Sequence, residues 1–340
     1  MTSRVLLVVI AAFVVALVST GIMRRFALRR NLIDVPNERS SHSLPTPRGG
    51  GVAIVVAFFV AAFLLAGLGL MNGKILGALL IGGGAMAFVG FLDDRWHLRA
   101  SVRFSVHLVA ALCVVILLGG IPEATLMAWG LHGIWIGGLV AVLVLVWTTN
   151  LFNFMDGIDG IAGSEAVFVS CAGALLNWSQ GGAPGLTAAM LSLAAASLGF
   201  LRWNWPPARI FMGDVGSGFL GFSLAVLGLA ASQSGTFPIE VLAILGGVFV
   251  VDATVTLIRR VIRGDTWFEA HRSHAYQHLA RRWKAHLPVT IVVMIINVFW
   301  LLPLATLAVR FPTHVLWFLV AALTPLVVLV IACKAGTDGR

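Results

Sequence analysis

Apolar segments of the length needed to cross a bilayer recur along this chain, and they limit the folds it can adopt. A membrane-spanning helix takes about 20 consecutive, mostly apolar residues. Only 11% of the residues are charged, whereas soluble proteins carry about 25%. We therefore predict an all-α polytopic membrane protein of about 11 transmembrane helices, folded as a single domain over residues 1–340. The windows lie at roughly 4–23, 51–70, 75–92, 102–119, 133–149, 161–177, 186–201, 218–232, 239–258, 288–309 and 315–333.

The basic residues predict which helix ends face the cytoplasm. If the segment 24–50 is cytoplasmic and the later segments alternate, 20 of the 23 Lys and Arg residues lie on the cytoplasmic side. Because positively charged loops stay inside, the N-terminus is predicted in the periplasm and the C-terminus in the cytoplasm. The net charge of +9 mainly reflects this asymmetry, although it also suits anionic lipid headgroups and phosphorylated substrates. Nothing in the chain suggests nucleic-acid binding.

Most acidic residues lie in or near the predicted cytoplasmic segments. Of the 14 Asp and Glu residues, only Glu123 and Glu240 fall on the other side. Polar groups at the boundary of a membrane span are energetically costly, and function is the usual reason to keep them. The segments predicted to form the active site are 24–50, 93–103, 150–165, 202–217 and 259–287.

The most informative of these segments contains the sequence NLFNFMDGIDG at positions 150–160. Asn150, Asn153, Asp156 and Asp159 follow one another at spacings of three, which predicts that they share one face of a helix. Glycines within this motif allow the backbone to approach a ligand closely. The alternative is a capped helix end in a loop, but a cap needs one such residue rather than four.

Three more acids stand at predicted helix ends. Asp93 and Asp94 close the third span, and adjacent helical residues do not share a face, so each should have its own task. Asp214 lies in a glycine-rich stretch at a predicted helix start, where backbone N–H groups can hold a phosphate. Asp252, inside the ninth span, either pairs with a neighbouring cation or joins the site.

Cationic groups accompany the acids. Arg48 lies in a loop rich in proline and glycine and is suited to binding phosphate. His271, His274 and His278 are spaced for one helical face, close to Tyr276, the only tyrosine of the chain. A zinc site here is a weak alternative, because no HExxH pattern is present. An amphipathic helix at the membrane surface is another alternative, and it is compatible with phosphate binding.

Carboxylates and cations that converge on one membrane face indicate a reaction of anions. Carboxylates repel a phosphorylated substrate unless a cation lies between them, and oxygen ligands favour Mg²⁺ or Mn²⁺. The combination predicts Mg²⁺-assisted phosphoryl transfer. One substrate should be a lipid, because the site lies at the bilayer, and the other a cytosolic nucleotide compound.

These motifs resemble those of the polyprenyl-phosphate N-acetylhexosamine-1-phosphate transferases. That superfamily includes the phospho-N-acetylmuramoyl-pentapeptide transferase of peptidoglycan synthesis. The resemblance runs over about residues 31–285. It is carried by DVPNERSSHSLPTPRGGG, FLDDRW, NLFNFMDGIDGIAG, NWPPARIFMGDVGS, VDATVTLIRR and the histidine loop HRSHAYQH.

The resemblance implies a multi-pass enzyme of the bacterial inner membrane, with its active site facing the cytoplasm. Undecaprenyl phosphate would attack a UDP-sugar and form undecaprenyl-diphospho-sugar and UMP. The lipid phosphate and catalysis would fall to Asp93 and Asp94, with Asp214 as the chief Mg²⁺ ligand and Asp156 beside the metal. The implied catalytic residues are Asp93, Asp94, Asp156 and Asp159. The implied substrate-binding residues are Arg48, Asn150, Asn153, Asn204, Phe211, His271, Arg272 and His274, of which Asn204 and Phe211, with Asp159, would line a uridine pocket.

Two departures favour the branch that initiates O-antigen or other surface polysaccharides. The peptidoglycan branch has a lysine soon after its acid pair and a run of consecutive histidines. Here the pair is followed by Arg95, His97 and Arg99, and the histidines are interrupted. The peptidoglycan reaction remains an alternative, as does an ion-coupled transporter, although transporters place coupling residues near the bilayer midplane. The sugar is left open, and a homodimer is compatible with the sequence.

Overall fold

The computed structural model describes residues 2–36, 44–265 and 272–337, and these residues are mostly helical. A two-residue hairpin joins Ile33–Asp34 (β1) and Thr46–Pro47 (β2), antiparallel, with Ile33 opposite Pro47. The helices are Ser3–Arg29 (α1), Gly51–Gly67 (α2), Gly73–Trp96 (α3), Ala100–Leu118 (α4), Glu123–Ala128 (α5), Ile134–Met155 (α6), Ile161–Ser179 (α7), Pro184–Asn204 (α8), Asp214–Gln233 (α9), Glu240–Leu245 (α10), Gly247–Ile262 (α11), Ala275–Trp283 (α12), Leu287–Arg310 (α13) and Pro312–Ala332 (α14).

The prediction of an all-α polytopic membrane protein is confirmed, and each predicted span coincides with helical structure. Within the described residues, nine helices are long and apolar enough to cross a membrane. Two predicted spans differ from these nine. Helix α2 has 17 residues, and the span predicted at 239–258 is divided at Gly246 into α10 and α11. The total of eleven crossings and the orientation of the termini stay predictions.

Helix α9 forms the centre of the bundle. All its residues from 215 to 232 are buried, and it packs against α2, α3, α6 and α7. Small residues recur along it, and in a membrane small residues let neighbouring helices approach closely. The outer helices, such as α1 and α4, instead expose apolar side chains, including Leu7 and Ile116. This arrangement fits a bundle whose outer surface meets lipid.

The amino-terminal end of α9 is tied to the segment that follows the hairpin. Gly50 and Gly51 donate backbone hydrogen bonds to the carbonyls of Phe211 and Met212, both at 2.9 Å, and the Phe211 N–H donates to the Pro47 carbonyl at 2.8 Å. These bonds hold the start of α2 beside the start of α9. Two helix N-termini, with their partial positive charge, therefore lie together at one end of the bundle.

Candidate active site

Asp93 and Asp94, in the last turn of α3, have different partners, as their adjacent positions predict. The Asp93 carboxylate accepts a hydrogen bond from the Leu98 N–H at 2.6 Å and pairs with Arg103. The Asp94 carboxylate accepts the N–H groups of Asp214 (3.1 Å) and Val215 (3.3 Å). Asp94 therefore binds the backbone at the start of α9, whereas Asp93 binds residues around the start of α4 and also contacts the side chain of Asp214.

Arg103 connects two of the predicted acids. Its guanidinium pairs with Asp93 and lies 3.6 Å from an oxygen of Asp214. Arg103 is not among the site residues predicted from the sequence. The side chain belongs to α4, whereas the motif that drew attention belongs to α3, and no spacing rule relates residues on two separate helices.

Asp214 is the first residue of α9, as predicted. The preceding Gly213 has φ +77°, and a Cβ at this position would lie only 2.6 Å from an Asp94 oxygen. Glycine is required here for both reasons. It allows the ends of α3 and α9 to meet, which brings the carboxylates of Asp94 and Asp214 into one cluster.

The predicted single helical face of the 150–160 motif is wrong. Helix α6 ends at Met155, Asp156 is its C-terminal cap, and Asp159 lies in the loop beyond. Only Asn150 and Asn153 are helical. The Asn153 amide oxygen accepts a hydrogen bond from the Ser217 hydroxyl at 3.1 Å, whereas the Asn150 amide donates to the Val146 carbonyl of its own helix at 2.8 Å.

Asp156 lies close to two other predicted acids, Asp94 and Asp159. Burial of its carboxyl group, reinforced by the negative charges of Asp94 and Asp159, raises the pKa of Asp156 well above its usual value. A carboxyl group in such surroundings is unfavourable in its ionised form unless a cation joins it. The site therefore has more negative charge than its own basic residues balance.

The raised pKa gives a pH-dependent stability prediction. Because the pKa of Asp156 is higher in the folded than in the unfolded protein, the protonated carboxyl group stabilises the fold. This stabilisation is fully present below the unfolded pKa, near ~4, and is lost as pH rises through the folded pKa. In EDTA, the melting temperature of Asp156→Asn minus that of the wild type should therefore increase as pH rises from about 5 to about 9. Thermal unfolding of both proteins across this range measures the difference. A difference that is constant or shrinks with pH would contradict the assignment.

A groove of about 530 Å³ opens beside Asp159. The Asp159 carboxylate accepts the Ala208 N–H at 3.0 Å and lies 3.2 Å from the His286 ring. The remaining lining combines apolar and basic groups, among them Pro206, Phe211, Arg281 and Lys284. Its flat aromatic and proline surfaces, next to cations, suit a nucleotide base and its phosphates.

Asn204 holds this groove together rather than lining it. Its side chain is buried, with 3% exposed. The amide oxygen accepts the Gly160 N–H at 2.9 Å, and the amide nitrogen donates to the Ile210 carbonyl at 3.0 Å. The expectation of direct contact with uridine is therefore corrected to a supporting role, because both ends of the amide are engaged by backbone.

A second, larger groove of about 990 Å³ is lined by Asp94, a member of the acid cluster. Arg48, Asp94 and Arg95 lie on its walls, together with Phe26 and Trp96, whose side chains are largely exposed. Arg48 lies close enough to Asp94 for their opposite charges to attract. Arginine beside exposed aromatic residues is typical of a surface that meets lipid headgroups.

The histidine loop does not have the predicted geometry. Helix α12 begins at Ala275, so His274 is its N-cap and does not share a helical face with His278 as predicted. His271 lies outside the described residues. His274 instead faces Asp252, with its Nδ1 atom 3.3 Å from the carboxylate. The Arg272 carbonyl accepts a hydrogen bond from Arg281 at 2.9 Å.

The donor set fits a hard divalent cation in its chemistry. Four carboxylates, of Asp93, Asp94, Asp156 and Asp214, and the amide oxygen of Asn153 offer oxygen ligands of the kind Mg²⁺ prefers. The raised pKa of Asp156 shows where additional positive charge would be favourable. Among the residues that the structure describes, no three His, Cys, Asp or Glu side chains are already gathered as a metal centre.

Comparison with known proteins identifies related sequences over most of the chain. Residues 76–232 match the pattern of glycosyl transferase family 4. A Bacillus subtilis protein described as a probable undecaprenyl-phosphate N-acetylglucosaminyl 1-phosphate transferase is 31% identical over 307 residues, covering 86% of this chain and 82% of its own. A decaprenyl-phosphate N-acetylglucosaminephosphotransferase of Mycobacterium tuberculosis is 29% identical, covering 84% and 78%. A phospho-N-acetylmuramoyl-pentapeptide-transferase of Heliobacterium modesticaldum is 31% identical, covering 70% and 75%.

Proposed function

This chain belongs to glycosyl transferase family 4, and we propose that it transfers an N-acetylhexosamine-1-phosphate from a UDP-sugar to undecaprenyl phosphate. The products are undecaprenyl-diphospho-N-acetylhexosamine and UMP. We place the reaction at the cytoplasmic face of the bacterial inner membrane. The basic residues that would stay inside lie in the same segments as the acids of the site.

The observation that carries the proposal is that two separate grooves are each lined by one of the predicted acids. The groove beside Arg48 reaches Asp94, and the groove beside Phe211 reaches Asp159. Asp156 is close enough to both of these acids for their charges to act on its carboxyl group. A reaction that joins a lipid phosphate to a nucleotide diphosphate needs two such approaches, one from the membrane surface and one from the cytosol.

The chemistry is a displacement at phosphorus. An oxygen of the lipid phosphate forms a bond to the β-phosphorus of the UDP-sugar, the bond from that phosphorus to the bridging oxygen breaks, and UMP leaves with the electron pair. A lipid phosphate has a second pKa near ~6 and is mostly ionised at neutral pH. The principal task is therefore to hold two anions together, and a bound Mg²⁺ would supply the charge neutralisation.

The described residues divide this task. Arg48 and the paired N-termini of α2 and α9 would attract the lipid phosphate. Phe211, Arg281 and Lys284 would hold the nucleotide. Asp156 and Asp214 would hold the cation, and Asp93 would hold Arg103 beside Asp214. Asp94 would act on the side of the lipid phosphate, and Asn153 is held near the start of α9 by Ser217. We also propose that the product initiates the synthesis of O-antigen or a related surface polysaccharide, because arginines follow the acid pair and the histidines are interrupted.

A transfer assay tests this function. Purified protein with undecaprenyl phosphate and Mg²⁺ should release UMP from at least one of UDP-GlcNAc, UDP-GalNAc, UDP-FucNAc or UDP-QuiNAc. EDTA should abolish the reaction, because repulsion among the carboxylates and phosphates is then uncompensated, and Mg²⁺ or Mn²⁺ should restore it. Full activity in EDTA would contradict the metal requirement.

Two controls test the peptidoglycan alternative and the side of the membrane on which the site lies. Release of UMP from UDP-MurNAc-pentapeptide alone would identify the peptidoglycan reaction instead. In sealed membrane vesicles, externally added UDP-sugar should react in inverted vesicles and not in right-side-out ones. The opposite pattern would overturn the cytoplasmic placement of the site.

A further inference from the structure

Asp252 is a buried acid for which the proposed reaction has no direct use. It lies in α11, and 2% of it is exposed. Its carboxylate accepts the backbone N–H groups of Ala275 at 2.9 Å and Tyr276 at 3.0 Å, and it faces the His274 ring. The first N–H groups of a helix lack helical partners, and negative charge is favourable there. Asp252 therefore determines where α12 begins and how its first turn is held.

The first turn of α12 places Tyr276 against the end of α6. The Tyr276 hydroxyl donates a hydrogen bond to the Phe154 carbonyl at 2.9 Å. That carbonyl belongs to the last turn of α6, where carbonyl groups have no helical partner. The His274 ring stacks on the Tyr276 ring, with centroids 5.6 Å apart and planes inclined by 25°. The tyrosine is itself buried, with 2% exposed.

Tyr276 also contacts the residue that follows Asp156. A Cβ added to Gly157 would overlap the Tyr276 hydroxyl and would lie 3.0 Å from the Gln277 amide nitrogen. The phenol is thus enclosed between Phe154 and Gly157, on both sides of Asp156 along the chain. Burial, with the negative charges of Asp252 and Asp156, raises the pKa of Tyr276 above its usual value, so the hydroxyl keeps its proton and remains a donor.

We propose that Tyr276 is a positioning residue, held by Asp252 through the first turn of α12, and that it fixes the turn that presents Asn153 and Asp156 to the substrates. The inference rests on the proposed function, because Asn153 and Asp156 matter in that reaction. It gives the first turn of α12 a task beyond phosphate binding, since the packing of that turn sets the geometry of an acid at the end of α6.

Kinetics of the Tyr276→Phe variant test the positioning role. Loss of the hydroxyl releases the last turn of α6, and a displacement of about 1 Å in a reacting group lowers rates by up to ~100-fold. We expect kcat to fall by about 10- to 100-fold, with the KM for both substrates within about twofold of wild type, because the groove linings are untouched. The Mg²⁺ concentration for half-maximal rate should rise.

The matched control is Ser197→Ala, which removes another buried hydroxyl that hydrogen-bonds only within its own helix, to the Leu193 carbonyl. It should leave kcat unchanged. Wild-type kcat in Tyr276→Phe would overturn the proposal, as would an equal loss in Ser197→Ala. If the wild-type protein transfers no sugar phosphate at all, the proposed function fails, and the structural link is then decided by spectroscopy.

The spectroscopic test uses the fact that the chain has one tyrosine. Protein labelled with ¹³C at the phenol carbon of tyrosine gives a single NMR resonance that reports the Tyr276 hydroxyl. Asp252→Asn should shift this resonance without substrate present. Glu240→Gln, which alters a buried acid bonded to Trp129 elsewhere in the bundle, should not. An unshifted resonance in Asp252→Asn would overturn the link, and if that variant does not fold, the Tyr276→Phe kinetics decide.

Discussion

Replacing Asp94 with asparagine should lower kcat by about 10²–10³-fold, the loss typical of removing one preorganised electrostatic contact from an active site. The Asp94 carboxylate accepts two N–H groups at the start of α9 and also reaches the groove that holds Arg48. An amide in its place keeps one acceptor oxygen but loses the charge. We expect that excess Mg²⁺ does not restore the rate, because the change lies on the side of the lipid phosphate.

Asp93→Asn should lower kcat to a similar extent for a different reason. Asp93 holds Arg103, whose guanidinium also lies 3.6 Å from Asp214. Without the Asp93 charge, Arg103 is free to pair fully with Asp214 and to compete with a cation there. We therefore expect a raised Mg²⁺ requirement that high Mg²⁺ partly overcomes. The two neighbouring carboxylates are thus predicted to differ in their response to metal.

Steady-state kinetics across Mg²⁺ concentrations measure both variants. The matched control is Glu123→Gln, an acid in a segment predicted to lie on the periplasmic side, whose carboxylate accepts only an exposed backbone N–H from Gly133. It should behave as wild type. Near-wild-type rates in either aspartate variant, or equal rescue of both by Mg²⁺, would refute the division of roles.

The sequence was sufficient for features that depend on local chemistry. Long apolar runs predicted the helices, because a bilayer requires them. Asp214 begins α9, as the glycine-rich pattern around it indicated. The separate partners of Asp93 and Asp94 followed from the rule that adjacent helical residues point in different directions.

The sequence was insufficient where a contact joins distant segments. A spacing of three also occurs across a helix end, so the 150–160 motif could not reveal that α6 stops at Met155. The start of α12 after His274 depends on Asp252, which is 22 residues away. Arg103, near the start of α4, contacts Asp93 and Asp214, and His286, just before α13, contacts Asp159. Such partners follow from the packing of the bundle rather than from any local pattern.

Substituting Gly51 with alanine should disrupt both the fold and the activity. Gly51 begins α2 and lies against Gly216 in α9, where an added Cβ would be 2.5 Å from the Gly216 backbone nitrogen. The two helices cannot separate freely, because the Gly51 N–H donates to the Met212 carbonyl at 2.9 Å. Overpacking of a close contact costs about 1–3 kcal/mol, and a contact between two backbones has no side chain that can move aside.

The expected result is a clearly lower melting temperature and a large loss of transfer activity, because Asp214 is two residues from the contact and moves with it. Thermal unfolding and the UMP-release assay measure these effects. The control lies in the same helix: Gly67 has no atom within 4 Å of an added Cβ, so Gly67→Ala should be neutral or stabilising by up to about 1 kcal/mol. Equal melting temperatures and rates in the two variants would mean that the starts of α2 and α9 are not packed as described, and that the acid cluster does not depend on their contact.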